Sequence, residues 1–267
     1  MNVATNMTAV ADKGEALREY IIHHVMYRTT HLDQWNVPFG HLAFLDVFRS
    51  DAVMLFTVVA GLVGVAWLAR RRRGDVPSGT GNALEALVAF IRDQIAIPFL
   101  GPTDGRAMAP LFCTFFTFIA GLNLLGLIPI FSSATGNINV TGGLATITFG
   151  FMVFGAVRRH GLAGFVRSLS PRGVPLLMRP FFMGIELVSL VSKAFALTVR
   201  LFANMLAGHI VIFALLGLVV VLGWAALPVV ALAIGMFFFE IFVGLFQAYV
   251  FTLLSAVFIG QAYHPEH

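Results

Sequence analysis

Between Ala107 and Val157 the chain carries no Lys, Arg, Asp or Glu. A water-soluble fold cannot leave so long a stretch without charge, because its surface turns must face solvent. The stretch is long enough to cross a bilayer twice, with a break at Pro129 to Gly143 that is rich in Ser, Thr, Asn and Gly. The composition agrees: 58% of the 267 residues are apolar and 11% are charged, against about 25% charged in ordinary soluble domains. The pI of 9.7 comes from arginines bunched beside apolar runs. That placement marks membrane orientation and not phosphate binding. Cys113 is the only cysteine, so no disulfide forms within the chain. A cytosolic enzyme, a secreted disulfide scaffold and a nucleic-acid binder are all excluded.

Residues 1–51 are mixed and polar, and include His23, His24, His31 and His41 without metal-ligand spacing. No basic start precedes an apolar core, so no signal peptide is expected. The segment reads as an external tail. Ala52 to Ala69 forms a first span, stopped by Arg70 to Arg73, which belong on the cytoplasmic side. In 82–97, Leu84, Leu87, Val88, Ile91 and Ile95 fall on one helical face and Glu85, Arg92 and Asp93 lie off it, the pattern of an interfacial helix. Spans follow at about 107–129 and 143–157, with the intervening break outside. Arg158 and Arg159 return the chain to the cytoplasm, where Arg167, Arg172 and Arg179 hold it. Residues 180–223 and 224–263 are two apolar runs, each too long for an upright helix and without a polar turn in the middle. They predict two tilted helices paired as a hairpin, reversing near Gly223 to Pro228. The fold class is therefore an all-α integral membrane protein. It has about five membrane-embedded helices and one interfacial helix, with the N-terminus outside and the C-terminus in the cytoplasm.

The hairpin carries groups that a bilayer penalises. Glu186, Lys193, Arg200 and His209 lie on its first helix, Glu240 and Gln247 on its second. Each ionisable group at bilayer depth costs roughly 2.5–3.5 kcal/mol and points to an ion or proton path. Glu186 and Lys193 are near enough to the cytoplasmic end to reach the interface. Ala196, Arg200, Ala203 and Ala207 recur at helical spacing, so the arginine sits on a stripe of small residues that another surface can approach. His209 is half a turn away from that stripe. A reversal centred between Trp224 and Ala225 places His209 opposite Glu240, and Arg200 opposite Tyr249, within one turn of Gln247. An imidazole beside a carboxylate can pass protons near neutral pH, whereas a guanidinium stays charged.

At these residues the sequence resembles the family of subunit a of F-type ATP synthases. The core of the likeness is RLFANMLAGH, Arg200 to His209. It extends to IELVSLVSK (Ile185 to Lys193), Glu240 with Gln247, GLNLLGLIP (Gly121 to Pro129) and NINVT (Asn137 to Thr141). Ala194 and Ala196 depart from a common Pro and Ser, Gly126 stands where some members have an acid, and Gly136 stands where an acid is common before the NVT-like run. The resemblance implies that Arg200 faces a ring of c subunits. It implies that Asn204, His209, Glu240 and Gln247 line a half-channel open to the outside, and that Glu186, Ser189 and Ser192 lie near the exit to the cytoplasm. It further implies peripheral-stalk b-type subunits and a separate catalytic head as partners, no cofactor or metal, and no catalysis by the subunit itself. The expected location is a bacterial inner membrane, with the mitochondrial inner membrane as the alternative. A secondary ion-coupled transporter would also carry charges at mid-membrane, but this chain has no inverted repeat. An intramembrane hydrolase would need a serine placed beside His209, and neither Ser189 nor Ser192 is close in sequence.

Overall fold

A computed structural model describes residues 50–71, 80–128, 133–169, 175, 177–222 and 227–263. The N-terminal tail with its histidines, the loop after Arg71, and the hairpin reversal at 223–226 lie outside the described residues. Every described element is helical: α1 (Ser50–Arg71), α2 (Thr80–Phe90), a π-helical stretch (Ile91–Ala96), α3 (Ile97–Gly126), a 3-10 turn (Ala134–Gly136), α4 (Ile138–Ser168), α5 (Arg179–Leu222) and α6 (Leu227–Tyr263). Helix is the open-ended way to satisfy every backbone group inside hydrocarbon. Gly81–Gly126, Ile138–Ser168, Arg179–Val219 and Leu227–Tyr263 are long and apolar enough to cross a membrane, while α1 holds a shorter apolar stretch, Val53–Trp67.

Two glycines break the helical paths. Gly101 has φ +82° and ψ 171°, a region open to glycine alone, and Pro102 then starts the next helical stretch with its φ already set. Chain from 80 to 100 is thereby bent away from the span that follows. Its Ile91, Ile95 and Ala96 are buried while Glu85, Arg92 and Asp93 are exposed. Val88, counted above on the apolar face, is 45% exposed. In α4, Gly161 (φ +70°) separates the stretch ending at His160 from 162–168. Both α3 and α4 extend beyond the uncharged segments, α3 at its N-terminal end through Asp104 and Arg106 and α4 at its C-terminal end through Arg158 and Arg159. Their backbone bonds continue where the side chains become polar.

Helices α5 and α6 contain 44 and 37 residues and neither is split. At 1.5 Å per residue they reach about 66 and 56 Å, about twice the hydrocarbon thickness of a bilayer of about 30 Å. The largest interface joins α3 to α6, and α4 and α5 close around it. Phe112, Phe115, Ile119, Phe251 and Ile259 form its centre, with the Phe115 and Phe251 rings edge to face at 5.7 Å. A smaller cluster of Met54, Val58, Leu122 and Ala134 holds α1 against the end of α3.

The end of α6 is clamped. Arg159 of α4 pairs with Asp104 of α3 and lies 5.0 Å from the centre of the Tyr263 ring, and His160 Nε2 is 3.1 Å from the Tyr263 carbonyl. From α5, Lys193 donates to Gln261 at 3.2 Å. Gly260 lies so close to the Phe99 carbonyl that a Cβ would overlap it. These contacts orient the lower part of α6, and with it the polar residues further up.

Candidate functional site

His209 and Glu240 meet across the hairpin. Nδ1 of His209 is 3.5 Å from Oε1 of Glu240, the juxtaposition that the antiparallel register anticipates. Local sequence explains the fit: Gly208 precedes the histidine, and a Cβ there would overlap the Glu240 carboxylate. A glycine at this position thus opens the space into which the acid folds. Glu240 is 6% exposed and neither of its oxygens has a hydrogen bond. A bare carboxylate in an apolar surround is strongly disfavoured unless a charge faces it. His209 also lies 2.9 Å from the Met205 carbonyl through Nδ1 and 3.1 Å from the Gly126 carbonyl through Nε2. The first contact is within α5, the second reaches the C-terminal end of α3.

The polar strip continues along α6. Glu240, Gly244, Gln247 and Ser255 are buried at helical spacing. Asn123 of α3, 2% exposed, donates from Nδ2 to the Gly244 carbonyl at 2.9 Å. Its Oδ1 and the Nε2 of Gln247 have no protein partner and are buried. Buried polar atoms of this kind are commonly satisfied by ordered water, which needs several polar partners in one place. Further down, Thr148 of α4 and Ser255 share a hydrogen bond of 3.1 Å.

Arg200 lies in a different setting. It is exposed on α5 together with Ala196, Ala203 and Ala207, while Leu197 and Leu201 turn into the core. Among the described residues its guanidinium has no hydrogen-bond or ion-pair partner. The surrounding surface is apolar, with Phe195 and Val199 exposed beside it. Tyr249, which the register sets opposite Arg200, turns its ring instead to Phe90 and Phe246, at 6.2 and 6.3 Å. Gln247 is buried and faces away from open surface.

The remaining expected residues lie elsewhere on α5. Asn204 is half-buried one turn beyond Arg200. Glu186 and Ser189 are half-buried and Ser192 is exposed, all on the stretch of α5 before Arg200. Glu186 is about 21 Å along the helix from Arg200. The polar groups thus fall into two sets separated by the arginine.

Sequence reasoning did not single out Asn123, Gly208, Gly244, Thr148 or Ser255 as site residues. A polar residue within an uncharged run, as Asn123 is, was the available signal. So was the spacing of Glu240, Gly244 and Gln247, a small-and-polar stripe on an otherwise apolar helix.

Comparison with known proteins matches this sequence to one family. The chain is 44% identical over 230 residues to "ATP synthase subunit a" of Anaeromyxobacter dehalogenans (strain 2CP-C), covering 84% of this chain and 60% of that protein. It is 44% identical over 209 residues to the subunit of the same name from Myxococcus xanthus (strain DK1622), covering 75% and 69%. With the subunit from Chloroherpeton thalassium (strain ATCC 35110 / GB-78) it shares 42% over 246 residues, covering 86% and 73%. The family model described as "ATP synthase A chain" matches residues 52–260, from the first helix almost to the end of the last, and the chain belongs to that family.

Proposed function

We propose that this chain is the stator subunit of the membrane sector of a rotary ATP synthase, and that it carries protons to and from a ring of c subunits. One set of groups, His209, Glu240, Gln247 and Asn204, forms a half-channel from the outside. The other, Glu186, Ser189 and Ser192, forms the half-channel to the cytoplasm. A proton arriving through the first neutralises a ring carboxylate, which can then move through lipid because burying its ionised form costs several kcal/mol. After rotation it loses the proton toward Glu186. Arg200 faces the ring, favours the ionised carboxylate and blocks direct passage between the half-channels. The driving force is about 2.3 kcal/mol per charge per 100 mV. ATP chemistry belongs to a separate catalytic head, held by peripheral-stalk b-type subunits.

The contrast between the buried contact of His209 with Glu240 and the exposed Arg200, unpaired among the described residues, carries this reading. An arginine on an apolar, exposed face calls for an acid presented by something outside the chain. ATP-driven proton pumping by the reconstituted complex tests it. Arg200→Ala should abolish pumping with the subunit still assembled, and pumping at the wild-type rate would overturn the reading.

The proposed orientation puts Arg70 to Arg73 and Arg158 to Arg179 in the cytoplasm and Ser132 to Thr141 outside, in a bacterial inner membrane. In a Cys113→Ala background, Asp75→Cys and Ile138→Cys should react with an impermeant reagent from opposite sides. Reaction from the same side would refute the orientation.

A further inference from the structure

The break between α3 and α4 has the composition of a solvated loop, rich in Ser, Thr, Asn and Gly. Loops of that kind stay at the surface, because buried backbone groups need partners. Its 3-10 turn is nevertheless inside the protein. Ala134 and Thr135 are 0% exposed, and Gly136 is buried with them. The turn packs on α1, α3, α4 and α5. It satisfies much of its own backbone: Gly136 N–H donates to the Ser133 hydroxyl at 3.2 Å, and Asn137 N–H to the Ala134 carbonyl at 3.1 Å. Ala134 N–H donates to the sulfur of Met54 on α1 at 3.4 Å, a weak acceptor on a fully buried side chain.

The turn adjoins the polar pair. A Cβ on Gly126 would come within 2.8 Å of the Met205 methyl group and 3.2 Å of the Ser133 hydroxyl. Gly126 and Met205 are also the residues whose carbonyls lie against the His209 ring. Ser133 and the turn thus rest on the end of α3 where that end meets the histidine. The fully or nearly buried side chains of α1 converge on the same place: Met54 and Val58 share a cluster with Leu122 and Ala134, while Phe56, Val59, Val63 and Trp67 of α1 are exposed.

We propose that the Ala134–Gly136 turn, pinned by Met54, is the outer closure of the His209–Glu240 site and determines what reaches it: water and protons pass, larger solutes do not. The proposal rests on the reading of this pair as part of the uptake half-channel and adds a size limit to that path. Packing supplies the reason. A turn packed to interior density leaves few gaps larger than a water molecule. A proton needs no wider opening, because it moves by exchange between hydrogen-bonded waters and hydroxyls, whereas a larger solute must pass bodily. Met54 is in this sense a positioning residue, which acts on the pair through the turn.

Cysteine labelling of the assembled complex in right-side-out vesicles tests this, with Glu240→Cys in a Cys113→Ala background. Two reagents are added outside, silver ion and a bulky trimethylammonium methanethiosulfonate. Each rate is divided by that of the same reagent at the exposed Ile138→Cys. At position 240 the bulky reagent should then be at least about tenfold slower than silver, since it must wait for the turn to open. Met54→Ala leaves a hole beside the turn, and Ala134→Leu forces a larger side chain against Met54. Each should speed the bulky reagent by about tenfold, and the two together, which conserve volume, should restore slow reaction. General destabilisation would add in the double variant and would not reverse. Equal relative rates for the two reagents in Glu240→Cys alone would overturn the proposal without any further variant, and so would an additive double variant. Failure of silver to react from outside would instead reject the half-channel reading itself.

Discussion

Arg200 and His209 are nine residues apart on one helix, and the fold treats them in opposite ways. His209 is turned into the protein, where an acid, two carbonyls and an aromatic ring meet it. Arg200 is turned outward onto a stripe of alanines, with no partner among the described residues. The pair is self-contained: imidazole and carboxylate meet within the chain. The arginine is incomplete until something acidic approaches. One helix thus carries two basic side chains on different faces, and among the described residues only His209 meets an acid.

The strongest way to break this comparison is to remove the incomplete partner. Arg200→Ala should eliminate coupled pumping in the reconstituted complex, and Arg200→Lys should be nearly as impaired, since a lysine lacks the planar fork and can lose its proton in an apolar site. Passive proton leak, read as decay of an imposed pH gradient, should rise in Arg200→Ala.

Crowding the self-contained pair comes next. A side chain at 208 occupies the space of the Glu240 carboxylate. Gly208→Val should push the acid away from His209 and lower pumping by about tenfold or more, since separating a buried pair costs about 3–5 kcal/mol. Gly208→Ala should fall between this variant and the wild type. Equal pumping in all three would show that the pair need not touch.

Smaller effects are expected from the scaffold around the pair. Asn123→Leu removes the donor to the Gly244 carbonyl and should destabilise the α3–α6 contact by about 1–3 kcal/mol, seen as a lower unfolding temperature of the complex in detergent. Ser255→Ala leaves Thr148 with its own bond to the Leu144 carbonyl, so the loss should be about 1 kcal/mol or less, with pumping preserved. If Ser255→Ala instead stopped pumping, the polar strip would extend functionally beyond Gln247.

Much of this molecule could be read from local pattern. Helices follow from hydropathy and from the need to satisfy the backbone within the segment. The outward stripe of Arg200 follows from helical spacing, and the meeting of His209 with Glu240 from counting residues around a tight reversal. The two long helices were legible as unbroken because nothing polar interrupts them. Each of these is a property of one segment, or of two segments joined by a few residues.

What the tertiary structure decided lies between segments far apart in the chain. That α3 ends on the His209 ring, that Asn123 reaches Gly244, and that Gly101 turns the chain sharply before Pro102 all depend on how closely helices approach. In α6 the contrast is sharpest: Phe237, Phe238, Phe239 and Phe242 are exposed, whereas Phe251, Ala256 and Ile259 are buried, though both stretches are apolar. In water, burial could be inferred from hydrophobicity. In a bilayer, lipid and protein interior are equally apolar, so hydropathy does not say which face of an apolar helix meets protein. Close packing against glycines and a few buried hydrogen bonds make that choice, and they exist only once the helices are together.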